Sequence, residues 1–311
     1  MNKVIVVGSY NVDLTITTAV LPRVGETVIG NSLKYGHGGK GANQAVAAAR
    51  AGATVSFLAK VGSDQYGDLA IEALSSEGIG SEYIHQEPNS TTGMAFITVN
   101  RLGENTIVVA SGANGTLSAS DISQNAKIFD DADILLTQLE TPMTSVAATI
   151  KSARQHNVKV ILNPAPAQSL DPDLLKDVTI ITPNRIEAEM LTGTKINTDD
   201  DLARAADILH ILGIETVLIT LGSEGVFISS GGDQKILPAS KVHAIDTVGA
   251  GDVFSGFLAA HYSGVDSLEQ TVTLASAAAG MSVTRIGAQA AIPHIDEVKA
   301  YLKKHTQLES V

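Results

Sequence analysis

The 311-residue chain is 44% hydrophobic and 17% charged, carries a net charge of −12 and contains no cysteine. Lys and Arg form no block, which argues against nucleic acid or an anionic membrane as a partner. Without cysteine there are no disulfides, thiolate metal sites or cysteine nucleophiles, and no apolar stretch approaches the ~20 residues that span a bilayer.

The N-terminal MNKVIVVGSYNVD has a short apolar run without the longer apolar region and cleavage site of a signal peptide, so a cytoplasmic setting is expected. Short β-rich runs occupy 4–8, 54–62, 133–140, 158–166, 178–184 and 216–222. Continuous apolar strands of this kind predict a sheet buried on both faces. Ala- and Leu-rich helical patterns lie between them at 41–51, 66–77, 142–156, 185–192 and 199–212, and 250–305 is mainly helical. The alternation predicts an α/β layered fold with a mostly parallel sheet. Residues 12–36 and 91–111 break it and read as antiparallel strands, the second with a turn at NRLGEN, forming a small sheet outside the main one. No Pro- or Ser-rich linker, repeat or low-complexity segment is present, so 1–311 is expected to be one domain with a β extension.

YGHGGKGANQAVAAARAG (35–52) contains Gly36, Gly38 and Gly41 in a G-x-G-x-x-G pattern, with Asp64 lying 23 residues beyond Gly41. The dinucleotide fingerprint should follow the first core strand, and VIVVG holds that place. A P-loop fails as well, because Gly41 follows Lys40 and no hydroxyl is set for magnesium. A plain glycine turn leaves the polar cluster Lys40, Asn43 and Gln44 at a helix start unexplained; a loop gripping a small polar molecule such as a sugar explains it.

AIDTVGAGDVFSGFLAA (244–260) places Gly249, Ala250, Gly251 and Asp252 at the opening of a helix. Free amides there form an anion site. A carboxylate beside them can take the proton of an attacking hydroxyl, the division of labour that phosphoryl transfer to an alcohol needs; Asp is also a common residue at helix starts. Asn184 and Glu187 have the spacing of a capping box and the chemistry to organise hydrated Mg²⁺. LITLGSEGV (218–226) is a strand entering a glycine turn whose amides, with Thr220, suit either a nucleotide or an ordinary turn. Asn11 and Asp13, two apart on an extended segment, point the same way and suit sugar hydroxyls or a polar strand end. Glu140 ends a strand, where it binds substrate or merely starts the next helix. The eight histidines show no metal-ligand spacing, and only His37 falls inside a candidate site.

GSYNVD, GHGGKGANQAVAAARAGA, QLETP, NPAPA, TPNRIEAE, TLGSEG, DTVGAGDVFSG and VTRIGAQ occur in this order. Together they resemble the phosphofructokinase-B type carbohydrate kinase family, in its ribokinase branch, from about residue 3 to 305. The resemblance implies a three-layer ribokinase-like fold, with a central sheet between helices and a β lid that often serves as a homodimer clasp. It also implies ATP-dependent phosphorylation of D-ribose at O5. By motif, Asp252 resembles the catalytic base, with Gly249, Ala250 and Gly251 as the anion hole. Asn11, Asp13, Gly39, Lys40, Asn43 and Glu140 resemble ribose-site positions, so the glycine loop resembles a sugar-binding loop. Asn184, Thr220, Gly222, Ser223, Gly225 and Ser276 resemble nucleotide-side positions. Glu187 belongs to an N-x-x-E element linked to Mg²⁺ and phosphate. Asp246 and the carbonyls of Val248, Ser282, Arg285 and Gly287 match a monovalent-cation (K⁺) site, with Ala291 where a serine hydroxyl often completes it. Phe257 follows Gly256 where the family more often has a small residue. The alternatives are a kinase for another sugar or a nucleoside, an NAD(P)-dependent oxidoreductase, and a catalytically silent sugar-binding regulator. A nucleoside needs apolar stacking surface, yet aromatics are only 4% and Tyr35 alone adjoins the GGKGAN loop.

Overall fold

A computed structural model of the protein describes residues 1–308. In chain order the elements are β1 (Lys3–Val7), β2 (Asn11–Thr17), β3 (Ser32–Gly38), α1 (Lys40–Arg50), β4 (Thr54–Gly62), α2 (Gln65–Ser76), β5 (Ile84–Glu87), β6 (Gly93–Val99), β7 (Asn105–Ala110) and α3 (Ala119–Gln124). There follow β8 (Ile134–Thr137), α4 (Met143–Gln155), β9 (Lys159–Leu162), α5 (Pro172–Leu175), β10 (Ile180–Ile181), α6 (Arg185–Thr192) and α7 (Asp199–Ile211). The chain ends in β11 (Thr216–Thr220), β12 (Val226–Ser230), β13 (Asp233–Leu237), α8 (Ala250–His261), α9 (Leu268–Ser282) and α10 (Ile295–Leu308).

The main sheet has nine strands in the order β13-β12-β11-β10-β9-β8-β1-β4-β5, with β5 through β11 parallel and β12 and β13 antiparallel at one edge. Its central strands are apolar on both faces because both are covered. Val4 and Val6 of β1 pack into one core with α1, α8 and α9, while Ile5 and Val7 pack into the opposite core with α4 and α7. The expected α/β architecture, helices on both sides of a mostly parallel sheet, is therefore present.

Two features differ from the sequence reading. The β12–β13 hairpin and β5 are edge elements. β13 is largely exposed and lacks the continuous apolar run used to find the central strands, and the Gly231-Gly232 turn that links β12 to β13 is the available signal. The small sheet has the order β3-β2-β6-β7. Its two hairpins are antiparallel as expected, but β2 and β6, which join them, run parallel.

Two glycines at the start of α1, Gly39 and Gly41, pack closely against the chain. Gly39, at φ 86°, precedes the helix, and a Cβ there would lie 2.7 Å from the Asn11 amide nitrogen. A Cβ on Gly41 would lie 2.7 Å from the Gly8 carbonyl carbon. The start of α1 is thus pressed against the chain leaving β1. Helix α8 crosses α1 as closely: a Cβ on Gly256 would lie 2.5 Å from Ala47 Cβ, 2.7 Å from the Gln44 carbonyl oxygen and 2.9 Å from the Ala48 amide nitrogen. Phe257, fully buried, fills the core beside this crossing.

Replacing Gly256 with Ala forces the two helices apart. Urea unfolding should show a loss of about 1–3 kcal/mol; unchanged stability would mean that the crossing is loose.

Candidate active site

The polar residues of the site sit just beyond the carboxyl ends of parallel strands, where ligands bind in open α/β sheets. Ser9 follows β1, Gln138 and Glu140 follow β8, Asn163 follows β9, Thr182 and Asn184 follow β10, and Thr220 ends β11. The starts of α1 and α8 close the crevice from the other side. A cavity of about 160 Å³ lies between them, lined by Lys40, Asn163, Thr182, Asn184, Glu187, Thr220, Thr247 and residues 249–252.

Asp252 is the most constrained group. Only 5% exposed, it accepts from Asn43 Nδ2 at Oδ2 (3.0 Å) and from Gln44 Nε2 at Oδ1 (2.9 Å). Burial pushes its carboxyl above the ordinary carboxylate range, against the pull of Lys40 and of the two amides. Gly249 takes a left-handed conformation before α8, and no side chain caps the helix. Among the described residues, the Gly251 and Asp252 amides have no backbone acceptor. They are available to an anion, with the helix dipole behind them.

Lys40 connects this centre to the small sheet. Its backbone amide donates to Glu140 Oε2 (2.9 Å), the oxygen that also accepts from Ser9 Oγ (2.5 Å). Burial pulls the Lys40 ammonium down, but Asp252, Glu140 and Glu187 outweigh it and hold the ammonium above the ordinary lysine value. Asn11 is buried at the start of β2, where its Oδ1 accepts from Asn114 Nδ2 (2.8 Å). Asp13 accepts no hydrogen bond among the described residues, and Gly38 leaves room for its carboxylate. Burial first, then the Glu140 and Asp252 carboxylates, push Asp13 up to about 7.

On the far side of the cavity the cap reading of Asn184 and Glu187 holds. Asn184 Oδ1 accepts from the Glu187 amide (2.9 Å), and Glu187 Oε2 accepts from the Asn184 amide (2.8 Å). Glu187 is nevertheless buried and lines the cavity, and burial raises its carboxyl despite the Asn184 amide and Lys40. Thr220 also lines the cavity, whereas Gly222, Ser223, Gly225 and Ser276 do not. Gly225, at φ 114°, lies so close to the Leu237 carbonyl that its first role is the β11–β12 turn. Ser276 Oγ is buried on α9 without a hydrogen-bond partner among the described residues.

Asp246 ties two loops together, accepting from the Val248 amide (3.1 Å) and the Gly287 amide (2.9 Å). The Ser282 carbonyl accepts from the Arg285 amide (3.0 Å), and Ala291 is buried with no side-chain oxygen to offer.

The sequence reading missed Gln138, Asn163 and Asn114 and gave Gln44 no partner. Gln138 and Asn163 carry a signal: each is a polar residue directly after a buried apolar strand. Asn114 bonds both the amide and the carbonyl of Tyr10 but sits in a glycine-containing connection with no distinctive pattern.

The model of the pfkB family of carbohydrate kinases matches residues 1–295. The chain belongs to this family. The ribokinase of Haemophilus influenzae is 44% identical, over 96% of this chain and 97% of its own. A deoxyribokinase of Salmonella typhi is 37% identical over 96% and 97%. A solved structure of Arabidopsis thaliana ribokinase complexed with ribose and ATP superimposes with a TM-score of 0.89 at 30% identity, over 97% of this chain and 99% of that one.

The raised Asp13 carboxyl has a consequence for stability. Between about pH 4 and 7 the folded protein keeps a proton that the unfolded chain releases, so this group lowers stability as pH rises through that window. Asp13→Asn removes the effect. Its stability advantage over the wild type should grow by about 1–4 kcal/mol from pH 4.5 to pH 8 in sugar-free unfolding measurements. An advantage independent of pH would show that Asp13 titrates normally.

Proposed function

We propose that the protein transfers the γ-phosphoryl group of ATP to O5 of D-ribose, giving D-ribose 5-phosphate and ADP. The observation that carries this reading is the buried Asp252 carboxylate, gripped by two amides at the uncapped start of α8, in a cavity with Lys40 and Glu187. The family is one of carbohydrate kinases, and its relatives named ribokinase are similar over nearly their whole length.

The sugar sits between the 39–43 loop and the start of β2, with Asn11, Asp13, Lys40, Asn43 and Glu140 toward its hydroxyls. The nucleotide lies on the side of Asn184, Thr220 and the 222–225 turn, with Ser276 at its outer end. Asp252 takes the O5 proton as that oxygen bonds to the γ-phosphorus and the bond to the β-phosphate oxygen breaks. The 249–252 amides and the Lys40 ammonium stabilise the negative charge on the transferring group. Glu187, a buried carboxylate on this side, suits Mg²⁺, which prefers oxygen ligands and, carried with the nucleotide, neutralises phosphate charge. The Val248, Ser282, Arg285 and Gly287 carbonyls, on loops held by Asp246, form an all-oxygen set suited to a monovalent cation such as K⁺. Ala291 adds no ligand to it, and the ion's charge would strengthen the anion site.

The small sheet, carrying Asp13 over the sugar, acts as a lid that excludes water as a competing acceptor. Its exposed Leu33, Phe96, Ile107, Val108 and Val109 suit a second lid in a homodimer. No helix among the described residues is long and apolar enough to cross a membrane, and an ATP-dependent enzyme without cysteine suits the cytoplasm.

In a coupled ADP-release assay, Asp252→Asn should lower kcat by about 10²–10⁴-fold while the ATP Kd stays within a few-fold. Near-normal turnover would remove Asp252 as the base. Because the site is built to bond hydroxyls, 2-deoxyribose should react with a kcat/KM about 10⁴-fold below that of ribose. Equal values would move the assignment toward the activity named for the Salmonella relative.

A further inference from the structure

Behind Asp252 lies a chain of buried amides that the transfer chemistry does not touch. Gln44 is fully buried and Gln138 is 1% exposed, and neither lines the cavity. Gln138 Nε2 donates to Gln44 Oε1 (2.6 Å). Gln44 Nε2 donates to Asp252 Oδ1 (2.9 Å) and to Asn163 Oδ1 (3.0 Å). Asn163 Nδ2 in turn donates to the Thr182 backbone carbonyl (3.1 Å).

The two ends of a glutamine amide are nearly the same shape, so their orientation is set by partners. Here the partners leave one solution. The Thr182 carbonyl is an obligate acceptor, which turns Asn163 Oδ1 toward Gln44. The Gln138 donor holds Gln44 Oε1 on the opposite side. Reversing Gln44, which is fully buried, would set its oxygen against two other oxygens. Gln138 Oε1 lies over Gly8, where a Cβ would overlap it, and has no hydrogen-bond partner among the described residues, so the bond to Gln44 is the one that orients the Gln138 amide.

We propose that Gln138 is a positioning residue for phosphoryl transfer: it orients the Gln44 amide and, through it, fixes the Asp252 carboxylate against the acceptor hydroxyl. The proposal rests on the reading of Asp252 as the base. With Gln44 locked, Oδ1 is held from behind and Asn43 holds Oδ2, so the carboxylate has one rotamer and its remaining lone pairs are directed at substrate. Without the Gln138 donor, Gln44 Oε1 is left buried and unbonded, so the amide that holds Oδ1 loses its rear anchor and is placed less firmly, although Asp252 and Asn163 still oppose its reversal. The charged groups around Asp252 are Lys40 on α1, Glu140 beyond β8, Asp13 on β2 and Glu187 on α6. All remain in a Gln138 variant, so a change there reads the amide chain alone.

The test uses Gln138→Met, which fills similar volume without a donor, with Gln138→Leu as the second variant should Met not fold. Two readouts are taken: the pH profile of kcat/KM for ribose, and the ¹³C NMR titration of the Asp252 carboxyl, identified by its loss in Asp252→Asn. The acid limb and the NMR midpoint should both rise by about one pH unit, with kcat at pH 7 down about tenfold and KM for ATP within twofold. A profile and midpoint superimposable on the wild type, with Asp252→Asn inactive, would overturn the positioning role and leave the base intact. An active Asp252→Asn beside a shifted midpoint would instead remove the base and leave the Gln138–Gln44 coupling standing.

Discussion

The contact on which the rest depends is the crossing of α1 and α8, where Asn43 and Gln44 each donate an amide hydrogen to Asp252. A buried carboxylate is costly unless it is fully hydrogen-bonded. Both oxygens are satisfied from one helix, so carboxylate and helix must stay in register. Gly256 permits that register, because across the crossing it faces the Ala47 methyl and the α1 backbone at Gln44 and Ala48 with no room for a Cβ. A helix pair chosen for close approach thereby becomes a holder for one reactive group.

The opposite wall is built on the sheet. Parallel strands end together, so their next residues (Ser9, Gln138, Asn163, Thr182) gather along one edge. Glu140 and Ser9 then hold the start of α1, and Asn114 holds the exit of β1 into the small sheet. Asn11 and Asp13, proposed to face the sugar, are hence fixed to the same frame as Asp252, although they come from the small sheet.

Much of this was legible in the sequence, for physical reasons. The central strands announce themselves because burial on both faces demands continuous apolar residues. The G-A-G-D helix start was legible because few residue types leave helix amides open beside an acid. What stayed hidden depends on pairings distant in sequence. The parallel β2–β6 pairing brings residues 11–17 against 93–99, and no local pattern encodes it. Gln44, Gln138 and Asn163 are ordinary polar residues until the fold brings them together. The glycines of the 36–41 loop were legible as glycines but not in their packing: Gly39 and Gly41 lie against the backbone of residues 8–11, and Gly38 makes room for the Asp13 carboxylate. Asp64, the acid that a dinucleotide reading needs, is fully engaged in capping α2 and holding Thr92, which leaves the oxidoreductase alternative without its ribose partner.

The account turns on where the acceptor hydroxyl lies relative to Asp252. The most direct measurement is a crystal structure of the protein with D-ribose and a non-hydrolysable ATP analogue bound together. The account predicts O5 in hydrogen-bond contact with the Asp252 carboxylate and the γ-phosphate against the 249–252 amides. A sugar seated with O5 turned away from Asp252, or a terminal phosphate bound apart from the start of α8, would contradict it.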